Sequence, residues 1–325
     1  MPPLRAPQAR VYGPPAVRVR LFWTAVRGQI ARGNPQEKRN RLATHSMVIR
    51  RTEGDLKERW IVGIDCAVDP RRVGVAAGVL RRNRLSLTDV KLCTLECLPA
   101  ATVTAYAKGL DDILFALDSP LGWPESLGPE LSRHEAGRYL EVSADRLFRR
   151  NTDRFIRAKI GKQSLDVGAD RIARTAWGAL NLLETISSEL GEQVALAWNT
   201  SIKGAQAIEV YPAATLKAHG ILASGYKRPE HVENRQTIIN SILERMDIEC
   251  DEKRLLNSAD ALDAAICVLG GADFLRGQSF PPEDPIIAKK EGWIWVRDPG
   301  LPPAYNPSIE RTESAASRPA RRSSQ

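Results

Sequence analysis

The 325-residue sequence predicts an α/β fold: a mixed sheet, built of a three-strand antiparallel meander plus parallel strands, flanked by helices. Two observations carry this expectation. Three β-rich runs follow one another between residues 60 and 95 with no helical periodicity between them, as in a meander. Beyond residue 100, buried-strand runs alternate with segments of helical spacing, as when strands are joined by helical crossovers.

In chain order, Trp60-Ile-Val-Gly-Ile-Asp65 is a short apolar run, residues 72–80 are β-rich, and residues 86–95 alternate around Leu87, Val90 and Leu92. A helix is expected near residues 102–109. Ile113-Leu-Phe-Ala-Leu-Asp118 has the unbroken apolar character of a strand covered on both faces. Residues 165–190 show helical spacing through Ile172, Ala176, Ala179, Leu180, Leu183 and Ile186. Residues 205–211 form another buried strand, followed by helices near 213–219, 230–246 and 258–269.

The formal charge of +8 is not spread evenly. Residues 1–57 carry +9 and residues 300–325 carry +2, which leaves −3 on the segment between them. Basicity therefore belongs to the ends and gives no support for a basic face on the folded domain. Residues 1–57 have a single short apolar run at 19–26, too little to offset the entropy of ordering, and are expected to be a disordered or loosely attached basic arm. Met47, just before the first strand, offers an alternative start of translation. Residues 58–299 are expected to form one domain, and residues 300–325, rich in Pro, Ser and Arg, a disordered tail.

The five cysteines form no C-x-x-C pair, which fits a reduced protein without structural zinc. No apolar stretch is long enough to cross a bilayer and the N-terminus lacks a secretory core, so a cytoplasmic location without membrane association is expected. The acid-free, Arg-bearing first 36 residues also have the composition of an organellar transit peptide. Neither G-x-x-x-x-G-K-[ST] nor a post-strand G-x-G-x-x-G is present, so those nucleotide cradles are excluded.

Three apolar runs end on an acid: Ile64-Asp65, Leu117-Asp118 and Ile208-Glu209. Buried ionised carboxylates are costly and repel one another, and a cation is the simple remedy. Hard oxygen ligands without nearby His or Cys favour Mg²⁺ or Mn²⁺ over Zn²⁺. Each acid alone also has a structural reading: Asp118-Ser-Pro as a turn, Asp65 as a loop cap and Glu209 as the partner of an Arg. Asp260 and Asp263 are three apart and share a helix face, while Ala259, Leu262, Ile266 and Leu269 can face the sheet.

Six segments, in this order, carry a family resemblance: Gly63-Ile-Asp65, Ala116-Leu-Asp-Ser-Pro-Leu-Gly122, Arg150-Asn-Thr-Asp-Arg154, Glu209-Val-Tyr-Pro-Ala213, Asp260-Ala-Leu-Asp263-Ala-Ala and Glu291-Gly-Trp-Ile294. Over about residues 60–296 the chain resembles the predicted RNase H-fold nucleases known as domain of unknown function 429, DUF429. The resemblance implies an RNase H-like fold with Asp65 on the first strand, Asp118 ending the fourth, and the Asp263 helix beside them. That helix is also similar to the D-x-x-D-A helix of Holliday-junction resolvases.

If the resemblance extends to catalysis, Asp65 would bridge two Mg²⁺ ions about 4 Å apart, with Asp118 and Asp263 as further ligands. Glu209 is then a candidate ligand or supporting base and Asp260 a further ligand candidate. Residues 149–162 hold six basic residues against one acid, which makes Arg150, Thr152, Asp153 and Arg154 the candidate substrate-binding positions. The expected activity is divalent-metal-dependent hydrolysis of phosphodiester bonds in DNA or RNA, with nucleic acid as substrate and no stable protein partner. The alternatives are a noncatalytic binding or scaffold module on the same fold and, less favoured, a phosphotransferase on a related core. The latter normally follows its first acid with a Gly and Thr/Ser loop, whereas here Cys66-Ala-Val-Asp69 follows Asp65.

Overall fold

The computed structural model describes residues 58–168 and 170–302. The arm expected over residues 1–57 and the tail from 303 onward lie outside the described residues.

Strands β1 (Arg59–Asp65), β2 (Gly74–Arg81) and β3 (Arg84–Leu92) form an antiparallel meander. Helix α1 (Pro99–Ala107) crosses over to β4 (Asp112–Asp118), which runs parallel to β1. Helices α2 (Leu127–Ser132), α3 (Ala144–Phe148), α4 (Asn151–Ile160) and α5 (Asp170–Leu190) follow. Next come β5 (Ala195–Leu196) and β6 (Gly204–Glu209), the latter parallel to β4. The chain continues through α6 (Pro212–Ala218), α7 (Val232–Ile242), β7 (Asp247–Ile248), α8 (Glu252–Asn257), α9 (Ala259–Leu275) and α10 (Pro285–Glu291). The result is an α/β architecture: a seven-stranded mixed sheet in the order β5-β6-β4-β1-β2-β3-β7, flanked by helices.

Because strand side chains alternate between faces, β1, β4 and β6 feed two cores. Val62, Ile64, Phe115, Leu117 and Ala207 pack on one face with Val103 of α1 and Ala179, Leu183 and Ile186 of α5. Ile61, Leu114, Ala116 and Ile208 pack on the other with the apolar surface of α9. That helix is buried almost all round from Ala261 to Leu275, as expected of a helix without an amphipathic face. Its start is fixed by Ser258, whose hydroxyl accepts a hydrogen bond from Ala261 N at 3.2 Å.

Two glycines set how closely α9 approaches the sheet. A Cβ on Gly63 would lie 2.1 Å from the carbonyl oxygen of Ala264, and one on Gly74 would lie 2.2 Å from that of Asp260. Any side chain there would push the helix off β1 and β2. With hydrogen in its place, the segment carrying Asp260 and Asp263 lies directly against the strand that ends in Asp65.

Residues 149–162 differ from the expectation of a solvent-facing basic stretch. Ten of them form α4, which buries Phe155, Ile156 and Ile160, and Phe155 packs edge-on to Phe280 at 5.4 Å between ring centroids. The charged residues were conspicuous in the sequence. The apolar positions between them determine which face of the helix is buried.

Candidate metal centre

Asp65 and Asp118 end two adjacent parallel strands in register, so their side chains stand side by side on the α9 face of the sheet. Asp263, near the start of α9, completes the group. One carboxylate oxygen from each of the three lies within 4.8 Å of the others. Asp65 is 9 % exposed and Asp263 1 %; Asp118 keeps somewhat more access to solvent.

The group is electrostatically unbalanced. Among the described residues no hydrogen-bond donor reaches the carboxylate of Asp65 or Asp118, and one ammonium, that of Lys227, stands 2.6 Å from Asp263 Oδ2. The Tyr226 hydroxyl donates to Asp263 Oδ1 at 2.7 Å. Burial, followed by the charges of Asp263 and Asp118, holds the Asp65 carboxyl well above the usual range. Asp118 is pushed up to about 7 by burial, with Lys227 opposing and Asp263 and Glu209 adding to the rise. Burial alone would lower the Lys227 ammonium, but Asp263 and then Asp118 hold it above its ordinary value. Three clustered carboxylates with one counter-charge and free oxygens form a donor set suited to a hard divalent cation.

A family profile described as "Protein of unknown function (DUF429)" matches residues 63–286. The chain belongs to the DUF429 family. No curated protein and no solved structure matches it. The DUF429 match takes in Asp65, Asp118, Glu209 and Asp263, together with Tyr226 and Lys227, and ends before Glu291.

The other residues singled out from the sequence occupy different surroundings from this triad. Asp260 lies on the outer side of the same helix, 28 % exposed, with Arg72 Nε 3.7 Å from its Oδ2. Glu209 pairs in register with Leu117 rather than Asp118, one residue out of phase with the acid row, and strand alternation turns it to the opposite face. Its two oxygens are taken by Arg150, whose Nη1 and Nη2 each donate at 2.7 Å. Leu121 N adds a third contact to it at 3.2 Å.

Arg150 and Asp153 belong to this buried network rather than to a rim. Arg150 is 1 % exposed and Asp153 fully buried. Arg150 donates to Asp153 from Nε and Nη2, both at 3.0 Å, while Asp153 also accepts from the Arg150 backbone N–H at 2.8 Å, closing the first turn of α4. Thr152 is likewise buried, its hydroxyl accepting from Ile294 N at 2.9 Å. The expectation that these three meet substrate phosphates is corrected on that ground: all three are buried, and each guanidinium nitrogen of Arg150 is already bound inside the core. Arg154 alone of the four remains partly accessible. It donates to the Arg149 carbonyl at 2.7 Å and lines a recess of about 350 Å³ with Arg149, Arg157 and Gln163.

Tyr226 and Lys227 were not anticipated. They sit in the loop between α6 and α7, anchored by buried Arg235, which donates to the carbonyls of Tyr226 and Arg228, each at 2.8 Å. A Tyr-Lys pair in a polar loop carries no periodicity, and only the fold brings it to Asp263.

Proposed function

We propose that this chain is a divalent-metal-dependent nuclease of the RNase H-like fold, hydrolysing phosphodiester bonds of DNA or RNA. The observation that carries the reading is the convergence of Asp65, Asp118 and Asp263 at the ends of two parallel central strands, where ligands bind in α/β sheets. The strand order β3-β2-β1-β4-β6, with β2 alone antiparallel to its neighbours, supports the RNase H-like part of this reading. Asp65, Asp118 and Asp263 would hold Mg²⁺ or Mn²⁺, which when bound supplies an activated water and neutralises charge on a phosphodiester.

The chain's own residues do the remainder. Tyr226 and Lys227 fix the Asp263 carboxylate from both oxygens. The Arg150–Glu209–Asp153 network locks the end of β6 to α4, and the turn after β4 hangs from it through Leu121 N, so the backbone next to Asp118 is held in place. A polyanionic substrate is supported by Arg154 and Arg157 in that recess, where Arg149 is already paired with Asp145 at 2.7 Å and Asp166 at 2.8 Å. Gln163, in its wall, accepts a hydrogen bond at its carbonyl from Tyr211 at 3.2 Å. Tyr211 lies near enough to the acids for Asp118, after burial, to raise its phenol to about 12. The DUF429 membership gives no activity, and the substrate class rests on these charges.

One observation favours a second reading, a noncatalytic binding module: the Lys227 ammonium already occupies an oxygen of Asp263. The deciding experiment incubates the purified protein with Mg²⁺ or Mn²⁺ and a panel of single-stranded DNA, duplex DNA, RNA and a branched junction. Cleavage of at least one substrate, absent in Asp65→Ala, is expected. A panel with no cleavage above that variant would overturn the nuclease reading.

A further inference from the structure

About ten residues along α9 from Asp263, or roughly 15 Å at 1.5 Å per residue, a second recess of about 200 Å³ opens. Its polar lining is His219, Arg245, Asp273, Arg276, Gln278 and Arg297. Its charge is opposite to that of the acid triad. Arg297 donates to Gln278 and to the carbonyls of Leu301 and Pro302, and nearby Arg59 donates to the Leu275 carbonyl. Neither meets a carboxylate among the described residues. Arg245 donates to the carbonyls of Ser241 and His219, and its carboxylate neighbour, Glu244, is 73 % exposed. Asp273, 1 % exposed, is the one carboxylate buried in the wall.

Two buried atoms here lack partners. Asp273 Oδ2 is bound to His219 Nε2 at 2.7 Å, yet its Oδ1 has no hydrogen-bond donor; Arg276 Nη1 stands 4.0 Å away, beyond hydrogen-bond reach. Arg276 Nε, in a side chain 5 % exposed, has no acceptor. Each such vacancy leaves a desolvated polar atom uncompensated, which destabilises the fold. An unfilled acceptor and an unfilled donor on one cationic wall, both shielded from solvent here, are satisfied together by a ligand that is anionic and also carries a proton to give, once the Asp273 and Arg276 side chains turn to meet it.

We propose that this recess binds a small oxyanion retaining a hydroxyl proton, of which hydrogen phosphate is the representative. Its charged oxygens meet Arg276 Nε and the guanidiniums of Arg245 and Arg297, and its P–OH donates to Asp273 Oδ1. The same aspartate selects against tetrahedral anions without a proton. Sulfate would place an oxygen lone pair against a carboxylate, and so would a phosphate monoester, largely a dianion above its second pKa of about 6. A site that hydrogen-bonds a ligand hydroxyl discriminates strongly against analogues lacking it. The site stands independently of the nuclease reading, since no residue is shared with the acid triad.

Calorimetric titration of the full chain with sodium phosphate, in metal-free buffer near neutral pH and at matched ionic strength against sodium sulfate and AMP, tests it. Saturable one-site binding of phosphate is expected, at least about tenfold tighter than either competitor. Asp273→Asn should erase that preference, and Arg245→Gln, on the rim, should weaken phosphate several-fold with the far-ultraviolet circular dichroism unchanged. If Asp273→Asn does not fold, Arg245→Gln decides alone. Absence of saturable binding, equal affinity for sulfate in the unmodified protein, or unchanged phosphate affinity in Arg245→Gln would each overturn the proposal.

Discussion

Replacing Asp118 by Asn should stabilise the metal-free protein above neutral pH and abolish its response to divalent metal. A carboxyl whose value rises from 3.8 to about 7 in the fold binds a proton in the folded state that the unfolded chain has released. Stability therefore falls as pH rises from about 4 to about 7 and levels off above. The full displacement corresponds to about 4 kcal/mol, an upper bound because Asp118 retains some solvent access. Taking half, about 2 kcal/mol, and roughly 2–4 °C per kcal/mol for a domain of this size, Asn should raise the melting temperature by about 4–8 °C at pH 8. Below about pH 4, where the carboxyl is protonated in the folded and the unfolded chain alike, the difference should vanish. Saturating the unmodified protein with Mn²⁺ at about 100 times its dissociation constant should add about 2.7 kcal/mol, a gain Asp118→Asn should lose. Differential scanning fluorimetry from pH 3.5 to 8.5 in EDTA, and near neutral pH in millimolar Mn²⁺, reads both effects. An offset equal at pH 3.5 and pH 8, or a Mn²⁺ gain retained in the variant, would refute the picture of mutually repelling carboxylates awaiting a cation.

Two further outcomes follow from the same geometry. Arg150→Met should cost about 3–5 kcal/mol in urea unfolding, because Glu209 and Asp153 would remain buried without their shared counter-charge; Arg150→Lys should not restore it, since an ammonium cannot serve two carboxylates in a planar fork. Gly63→Ala should cost about 1–3 kcal/mol through overpacking against the Ala264 carbonyl, and should also diminish the Mn²⁺ gain by displacing Asp263 from Asp65. A variant that melts lower but keeps the full metal response would separate packing from the site.

The longer strands and their terminal acids Asp65 and Asp118 were legible because burial leaves a local trace, whereas Asp263 was joined to them by the family resemblance. An apolar run stopping at an acid, as at Ile64-Asp65 and Leu117-Asp118, records a chain leaving the core at a polar point. Helix α9 was legible from its apolar residues. The short strands β5 and β7, two residues each, were not, since two residues show no alternation. Arg150 was misplaced because a charged residue in a basic stretch looks solvated. What buries it is a bidentate partner 59 residues away, information that no window around residue 150 contains. Glu209 was grouped with the strand-end acids correctly as to position, but a one-residue difference in register put it in another network. Lys227 left no local trace, its role being defined by Asp263, 36 residues further on.

The near-contact of α9 with Gly63 and Gly74 bears on how this centre can change over evolutionary time or in the laboratory. Asp65 and Asp263 are spaced by two main chains touching each other, so their separation cannot drift through side-chain substitution in the way that most metal pockets tune themselves. The adjustable wall is the segment that carries Tyr226 and Lys227. Selection for a larger or smaller ion, or for a substrate of different girth, is expected to leave its substitutions between α6 and α7.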